Sequence, residues 1–443
     1  MALELSETKS TSPLGSLPPG WKLVKLQEIT TKIGTGATPR GGEKVYLSTR
    51  KNFALIRSQH VFDRYLKSEG IAFISDEHAA ELQNVWVQAC DLLLNITGDG
   101  ITFARACLVP ENILPACVNQ HVAIIRLDKS QCVPGYLLSY LTHPLIKEYI
   151  ESFNSGGSRR AITKGHIESF VIPLPPLPEQ KAIAHILGTL DDKIELNREM
   201  NRTLEAMAQA IFKSWFVDFD PVRAKMEGRL PAGMDAATAE LFPDELKESP
   251  LGMIPKSWDI KLLPDAIDVN PSRRLAKSEI APYLDMANMP TQGHRPDNWI
   301  NRTFSSGTKF INGDTLLARI TPCLENGKTA FVDFLEDEQL GWGSTEYIIL
   351  RPKPPLPVEY GYYLARSDEF RTFAIQNMTG SSGRQRVPNE CFSQYFLALP
   401  SQKIAKLFAD IVKSLMARIS SNSEESRTLI SIRNTLILKL LSG

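Results

Sequence analysis

Between residues 178 and 216 the apolar positions recur at alternating steps of four and three. One seam collects Leu187, Ile194, Asn201, Ala208 and Trp215, and the other Ile183, Leu190, Asn197, Leu204 and Ile211. That spacing predicts a helix packed lengthwise against another helix. Pro178 suits the first helical turn, and Glu179 faces the positive end of the helix dipole. At roughly 1.5 Å per residue the helix reaches on the order of 60 Å, too long for the inside of one compact domain. It is expected to act as a spacer. Residues 401–440 repeat the pattern, with Ser401 as cap behind Pro400. Ile404, Phe408, Ile411 and Leu415 open its seam, Asn422 marks a polar middle, and Leu429, Ile432, Leu436 and Leu440 close it. The strings beginning at Asn197 and Asn422 share Asn, Glu, Arg, Thr and Leu in the same places. A buried Asn fixes register, so the two helices are expected to pair antiparallel within one chain.

The segment before each helix shows strand patterns in one shared order. Residues 53–58, 71–75, 88–98 and 121–127 read as strands, 133–153 as one amphipathic helix, and 169–178 as a strand running into prolines. In the second half residues 310–320, 346–352, 359–378 and 395–400 correspond. Leu14-Gly-Ser-Leu-Pro18-Pro-Gly-Trp21 recurs as Leu251-Gly-Met-Ile-Pro255-Lys-Ser-Trp258. The fold class expected is therefore α/β (mixed α+β), in two tandem copies separated by two long antiparallel coiled-coil helices and related by a pseudo-two-fold axis. The boundaries predicted are a disordered tail at 1–16, a globular unit at 17–175, a helix at 176–217, a linker at 218–254, a second unit at 255–400 and a helix at 401–443. Side chains differ widely between the two units although the element order is shared, as expected of two readers of different targets.

Composition narrows the class. Lys+Arg and Asp+Glu both number 50, which counts against a simple non-specific nucleic-acid binder unless basic residues are clustered locally. No apolar run approaches the length of a membrane span, and the N-terminus lacks a basic region followed by an apolar core. The expectation is a cytoplasmic chain with no membrane contact. The six cysteines have no metal spacing, and no metal site is expected. The seven histidines are scattered, and no phosphate loop, nucleophile elbow or zinc helix is present. No catalytic set is assigned.

Recognition chemistry remains. Arginine reads guanine edges through paired hydrogen bonds, and Lys and Arg pair with phosphates. Arg159 and Arg160 sit on one Gly/Ser loop, and Arg384 and Arg386 on its counterpart. Thr35, Thr38 and Arg40 lie on the Gly-rich loop after residue 33, where backbone could approach a phosphate. Arg273, Arg274, Lys309, Arg319 and Lys328 complete the candidate DNA-contacting set.

Longer strings resemble a known family. Leu174-Pro-Pro-Leu-Pro-Glu179-Gln180-Lys181, the run from Ile183 to Asn197, Trp215-Phe-Val-Asp-Phe-Asp-Pro221-Val, Leu251-Gly-Met-Ile-Pro255 and Gly313-Asp314-Thr-Leu-Leu-Ala-Arg319-Ile-Thr-Pro322 are similar to segments of the specificity subunits of type I restriction-modification systems. The resemblance implies two target-recognition domains, each reading one half of an asymmetric site in double-stranded DNA. It implies that the helices separate those domains and dock two modification and two restriction subunits. S-adenosylmethionine, ATP and Mg would then belong to those partners, with no cofactor in this chain. The docking seam would include Ile183, Leu187, Leu190, Ile194, Asn197, Asn201, Leu204, Ile404, Phe408, Ile411, Leu415, Asn422 and Leu429. One departure is visible: the second helix is led by Leu399-Pro400-Ser401-Gln402 in place of Pro-Leu-Pro-Glu-Gln. A coiled-coil adaptor that binds no DNA is the alternative reading.

Overall fold

The computed structural model of the chain describes residues 12–157, 159–381 and 383–442. It forms two compact units, Met1–Leu196 with Ser426–Gly443, and Asn197–Glu425.

The first unit is built on a four-stranded antiparallel sheet in the order Thr30–Thr35, Val122–Leu127, Leu92–Asn95, Ala106–Leu108. Side chains alternate across a strand. Leu92, Leu94, Ala123 and Ile125 therefore join one core with the helix Pro134–Leu141, while Leu93, Val122 and Ile124 join another. That second core lies against a three-stranded sheet, Ala116–Val118, Phe53–Ile56, Ala72–Ile74, whose first pair is parallel. Burial on both faces is why these strands read as unbroken apolar runs. Each large apolar side chain so buried contributes about 1.5–3 kcal/mol.

The second unit repeats the plan. Its antiparallel sheet runs Ile267–Val269, Tyr347–Pro352, Thr315–Ala318, Thr329–Phe331. Leu317, Ile348 and Leu350 face one core, and Leu316, Ala318 and Ile349 the other. The companion sheet runs Ile300–Thr303, Ile280–Leu284, Gly341–Gly343, Thr308–Phe310, again with one parallel pair. Each unit closes with a short antiparallel pair between an early strand and its last, Lys22–Lys25 with Val171–Leu174 and Asp259–Leu262 with Phe396–Leu399.

The opening repeat folds the same way twice. The Gly15 amide donates to the Ser12 carbonyl at 2.9 Å, and Gly252 to Ser249 at 2.9 Å. The Trp21 amide donates to Pro18 at 3.2 Å, and Trp258 to Pro255 at 3.0 Å. This corrects the expected tail: residues 12–16 are a built turn, while residues 1–11 lie outside the described residues. Small polar composition hid a turn whose order comes from a Ser side chain accepting the Leu14 amide.

The single amphipathic helices expected at 133–153 and 359–378 are each two helices. Pro134–Leu141 is followed by Pro144–Ser152, and Val358–Arg366 by Asp368–Gln376. Pro144 has no amide to continue a helix, and the His143 ring caps the new one. Ser367 adopts extended dihedrals and caps the Phe370 amide, which restarts the second.

The long helices are Leu177–Phe216 and Gln402–Ser442. In the first unit Ile183 and Leu187 share a core with Ile437 and Leu441. In the second, Asn197 Nδ2 donates to the Asn422 carbonyl at 3.4 Å and Asn201 Nδ2 to the Ile419 carbonyl at 3.4 Å, with Phe212 5.9 Å from Phe408. Rising numbers on one helix meet falling numbers on the other, so the pairing is antiparallel. The seam drifts from the seven-residue expectation. Val412, Met416 and Ile419 are buried, whereas Ile411 and Leu415 are half-buried and Ile432 is 45% exposed. Leu190, Leu204 and Leu429 are likewise half-buried. An α-helix drifts by about 20° per heptad against a 3.5-residue repeat. Among the described residues no helix is long and apolar enough to cross a membrane.

Candidate nucleic-acid interface

A duplicated ion pair fixes the central strands of both sheets. Asp91 precedes the strand Leu92–Asn95 and accepts from Arg126 Nε at 2.8 Å and Nη2 at 2.7 Å, and from the Gln88 amide at 2.8 Å. Asp314 precedes Thr315–Ala318 and accepts from Arg351 at 2.9 Å, from Arg273 at 2.8 Å and from the Ile311 amide at 2.8 Å. Both carboxylates are buried. The basic Gly/Ser loops also occupy matching places. Arg160–Ala161 pairs with Thr97–Gly98, and Arg386 bridges Ile320, each beside the exit of that central strand. The Ile162 amide donates to Ile96, and the Val387 amide to Arg319.

The candidate arginines divide by what they touch. Arg160 is held by Glu151 at 2.5 Å, and Arg386 is bidentate on Glu346 at 2.8–3.0 Å. Arg273 is committed to Asp314, and Lys328 Nζ to the Met286 and Ala287 carbonyls. In all four the cation is already engaged inside its own unit, which the sequence did not reveal. Arg40 lies 3.9 Å from Glu81, both exposed, a weakly held pair. Arg159, Arg274, Lys309, Arg319 and Arg384 have no carboxylate partner among the described residues. Lys309 lies over the Phe304 ring at 5.0 Å. Thr35 is an exposed strand end paired with Ala123.

In the second unit Arg273, Lys309 and Arg319 line one cleft of about 250 Å³, together with Asn270, Ser272, Thr308 and Thr345. Sequence reasoning found the three cations and missed the neutral donors between them. In the first unit Thr38 and Arg40 line a concavity of about 420 Å³ with Glu81 and Leu82. There the Gly-rich loop serves the chain itself. A Cβ on Gly36 would fall 2.1 Å from the Asn119 carbonyl oxygen, so glycine lets the loop lie against residues 118–119 and leaves no space there for a phosphate.

That contact sets Thr38 beside a polar row that the sequence reading missed. The Thr38 hydroxyl bonds Gln120 Oε1, Gln120 Nε2 stands 3.2 Å from His121 Nε2, and His121 Nδ1 stands 2.6 Å from Thr97 Oγ1. Burial, then the Arg159 guanidinium, holds the His121 pKa below the usual histidine range. The signal was a polar triplet, Asn119-Gln120-His121, directly before an apolar strand. Beside it Asp99 accepts from the Thr102 hydroxyl and amide and the Ile101 amide, which brings its pKa down to about 2. The loop so braced leaves Ile101 72% exposed, next to Gly100 and the Arg160 guanidinium.

A model of the type I restriction modification DNA specificity domain matches residues 18–206. The chain is 26% identical to the type I restriction enzyme HindI specificity subunit of Haemophilus influenzae, over 74% of this chain and 80% of that one. It is 22% identical to the MjaIX specificity subunit of Methanocaldococcus jannaschii, over 99% and 96%. The chain is thus similar to type I specificity subunits along most of its length. The crystal structure of the S subunit from M. genitalium shares its fold, with a TM-score of 0.52 at 14% identity over 97% of this chain and 99% of that one.

The Pro-Leu-Pro-Glu179-Gln180 string has a physical role. Gln180 is buried, its Nε2 donates to the Gln131 and Pro175 carbonyls, and its Oε1 accepts the Val133 amide. Trp21 Nε1 donates to Glu179 Oε1 at 3.1 Å. These bonds clamp the first globular part to the start of its helix. At the second helix Ser401 caps the Ile404 amide at 3.4 Å, and Gln402 is exposed. The second globular part is joined to the helices through a buried network instead. His294 Nε2 meets Asp333 at 3.1 Å and Ser420 at 3.4 Å, Ser420 donates to Asp333 at 2.6 Å, and Glu205 accepts from Tyr362 at 2.8 Å. Asp333 and Ser420 share one ring nitrogen, so this is a joint and not the relay of a nucleophilic triad, in which acid and hydroxyl take opposite nitrogens. Burial works against the Asp333 carboxylate, yet the bonds from His294 and Ser420, with the charge of Arg295 3.7 Å away, hold its pKa low.

Proposed function

We propose that this specificity subunit reads a bipartite, asymmetric site in double-stranded DNA, one half with each recognition domain. The observation that carries the reading is one scaffold with two unlike faces. Both domains keep the strand order and the buried Asp–Arg pair. Yet one presents Thr38, Gln120, His121 and Arg159, and the other a cleft with Arg273, Lys309 and Arg319. Base edges are distinguished by donor and acceptor patterns, and unlike polar faces on like scaffolds are what two different half-sites require. Arg159, Arg274 and Arg384, exposed and without a carboxylate partner among the described residues, suit phosphate contacts that set position.

The paired helices dock two methyltransferase subunits and two restriction subunits in this reading, with the chain itself non-catalytic and cytoplasmic. S-adenosylmethionine, ATP and Mg are bound by those partners. The test replaces residues 17–175 with the corresponding domain of a relative and maps methylated adenines after exposure of DNA to the assembled complex. One half of the recognised site changes and the other stays. Change in both halves, or in neither, refutes the reading.

A further inference from the structure

We infer that Gln120 reads the major-groove edge of one adenine in the half-site taken by the first recognition domain; this rests on the proposed DNA-reading function. Gln120 is exposed at the end of the central sheet, just before the strand Val122–Leu127. Its amide is held on both sides. The Thr38 hydroxyl donates to Oε1, and Nε2 donates one hydrogen to His121 Nε2. For His121 to accept there, its proton sits on Nδ1 and is donated to Thr97 Oγ1 at 2.6 Å. The His121 amide is in turn anchored to Asn119 Oδ1 at 3.3 Å. The close fit of Gly36 on the Asn119 carbonyl keeps Thr38 in place.

An amide pinned in this way cannot exchange its oxygen and nitrogen by rotation. It keeps one free N–H and one free lone pair. Adenine presents N6–H as donor and N7 as acceptor, the complement of that pair. A free glutamine could turn to suit other edges; a pinned one selects. The matching position of the second domain supports the assignment. Arg126 and Arg351 are equivalent through their pairs with Asp91 and Asp314, and counting back along the two strands sets Gln120 opposite Thr345. Thr345 lines the cleft with Arg273, Lys309 and Arg319. One scaffold position thus lies on the candidate surface in both domains, with different chemistry in each.

The experiment is binding-site selection from random duplexes with the chain assembled with its methyltransferase subunits. Wild type is compared with Gln120→Ala, Gln120→Glu and His121→Phe. Gln120→Ala loses discrimination on the order of tenfold or more at one adenine of one half-site. Gln120→Glu moves the preference there toward cytosine, whose N4 amino group donates to a carboxylate. His121 is a positioning residue: His121→Phe lowers discrimination at the same base more than overall affinity. An unchanged second half-site, read by the same molecules, shows that each variant is folded. If the Gln120 variants return the wild-type motif, or alter a position where wild type selects another base, the inference is overturned while two-part reading stands. An even loss across bases for His121→Phe overturns the positioning role. If wild type itself selects no motif, the proposed function falls and this inference with it.

Discussion

Asp91 and Asp314 occupy one position in two copies of a fold, so the same substitution in each makes an internal comparison. Asp314 is fully buried and anchors two guanidiniums, with Arg273 10% exposed and Arg351 31% exposed. Asp91 anchors one, Arg126, which is 24% exposed. Asp314→Asn leaves two cations without a counter-charge, and one of them, Arg273, is largely desolvated. Each charge-assisted hydrogen bond lost is worth roughly 1.5–3 kcal/mol, and breaking a buried pair costs about 3–5 kcal/mol. Asp91→Asn keeps one oxygen for Arg126, whose head reaches water, so about 2 kcal/mol is expected. Native-state hydrogen exchange on the full chain separates the two, because Tyr347–Pro352 reports one unit and Val122–Leu127 the other. Asp314→Asn should lower the opening free energy of Tyr347–Pro352 by at least ~1 kcal/mol more than Asp91→Asn lowers that of Val122–Leu127. Adding Arg273→Met to Asp314→Asn should recover part of the loss by removing a stranded cation. Equal losses in the two units, or no recovery, would refute the reasoning.

Burial, and then Arg57, depress His60 to a pKa of about 4; its Nδ1 accepts the Arg57 amide at 3.1 Å and its Nε2 faces the Gly70 carbonyl at 3.1 Å. The unfolded chain takes up that proton near pH 6.5, so stability should fall as pH drops from ~6.5 toward 4, by about 3 kcal/mol in total, and level off below. The difference between wild type and His60→Gln in urea titrations across that range isolates the effect, and parallel pH profiles would contradict it. Removing one heptad from each long helix shortens it by ~10 Å, so the unread gap in the selected DNA site should shrink by about three base pairs or binding be lost. An unchanged gap would show that the helices do not set the spacing.

The sequence by itself determined the duplication, the central strands and the long helices, because those depend on local periodicity and on apolar runs buried on both faces. Leu92–Asn95 and Tyr347–Pro352 could take few other forms. It also marked Asn197 and Asn422 as polar points of the seam. Tertiary structure decided what the period could not carry. Pro144 and Ser367 each divide what looks like one helix, and the drift of an α-helix against a seven-residue ruler moves burial from Ile411 and Leu415 to Val412 and Met416. The candidate site was least legible of all. Whether an arginine meets DNA or a carboxylate is set by contacts distant in sequence, such as Arg386 with Glu346 or Arg160 with Glu151. A string of letters shows that a cation exists, and only the folded chain shows whether its charge is already spoken for.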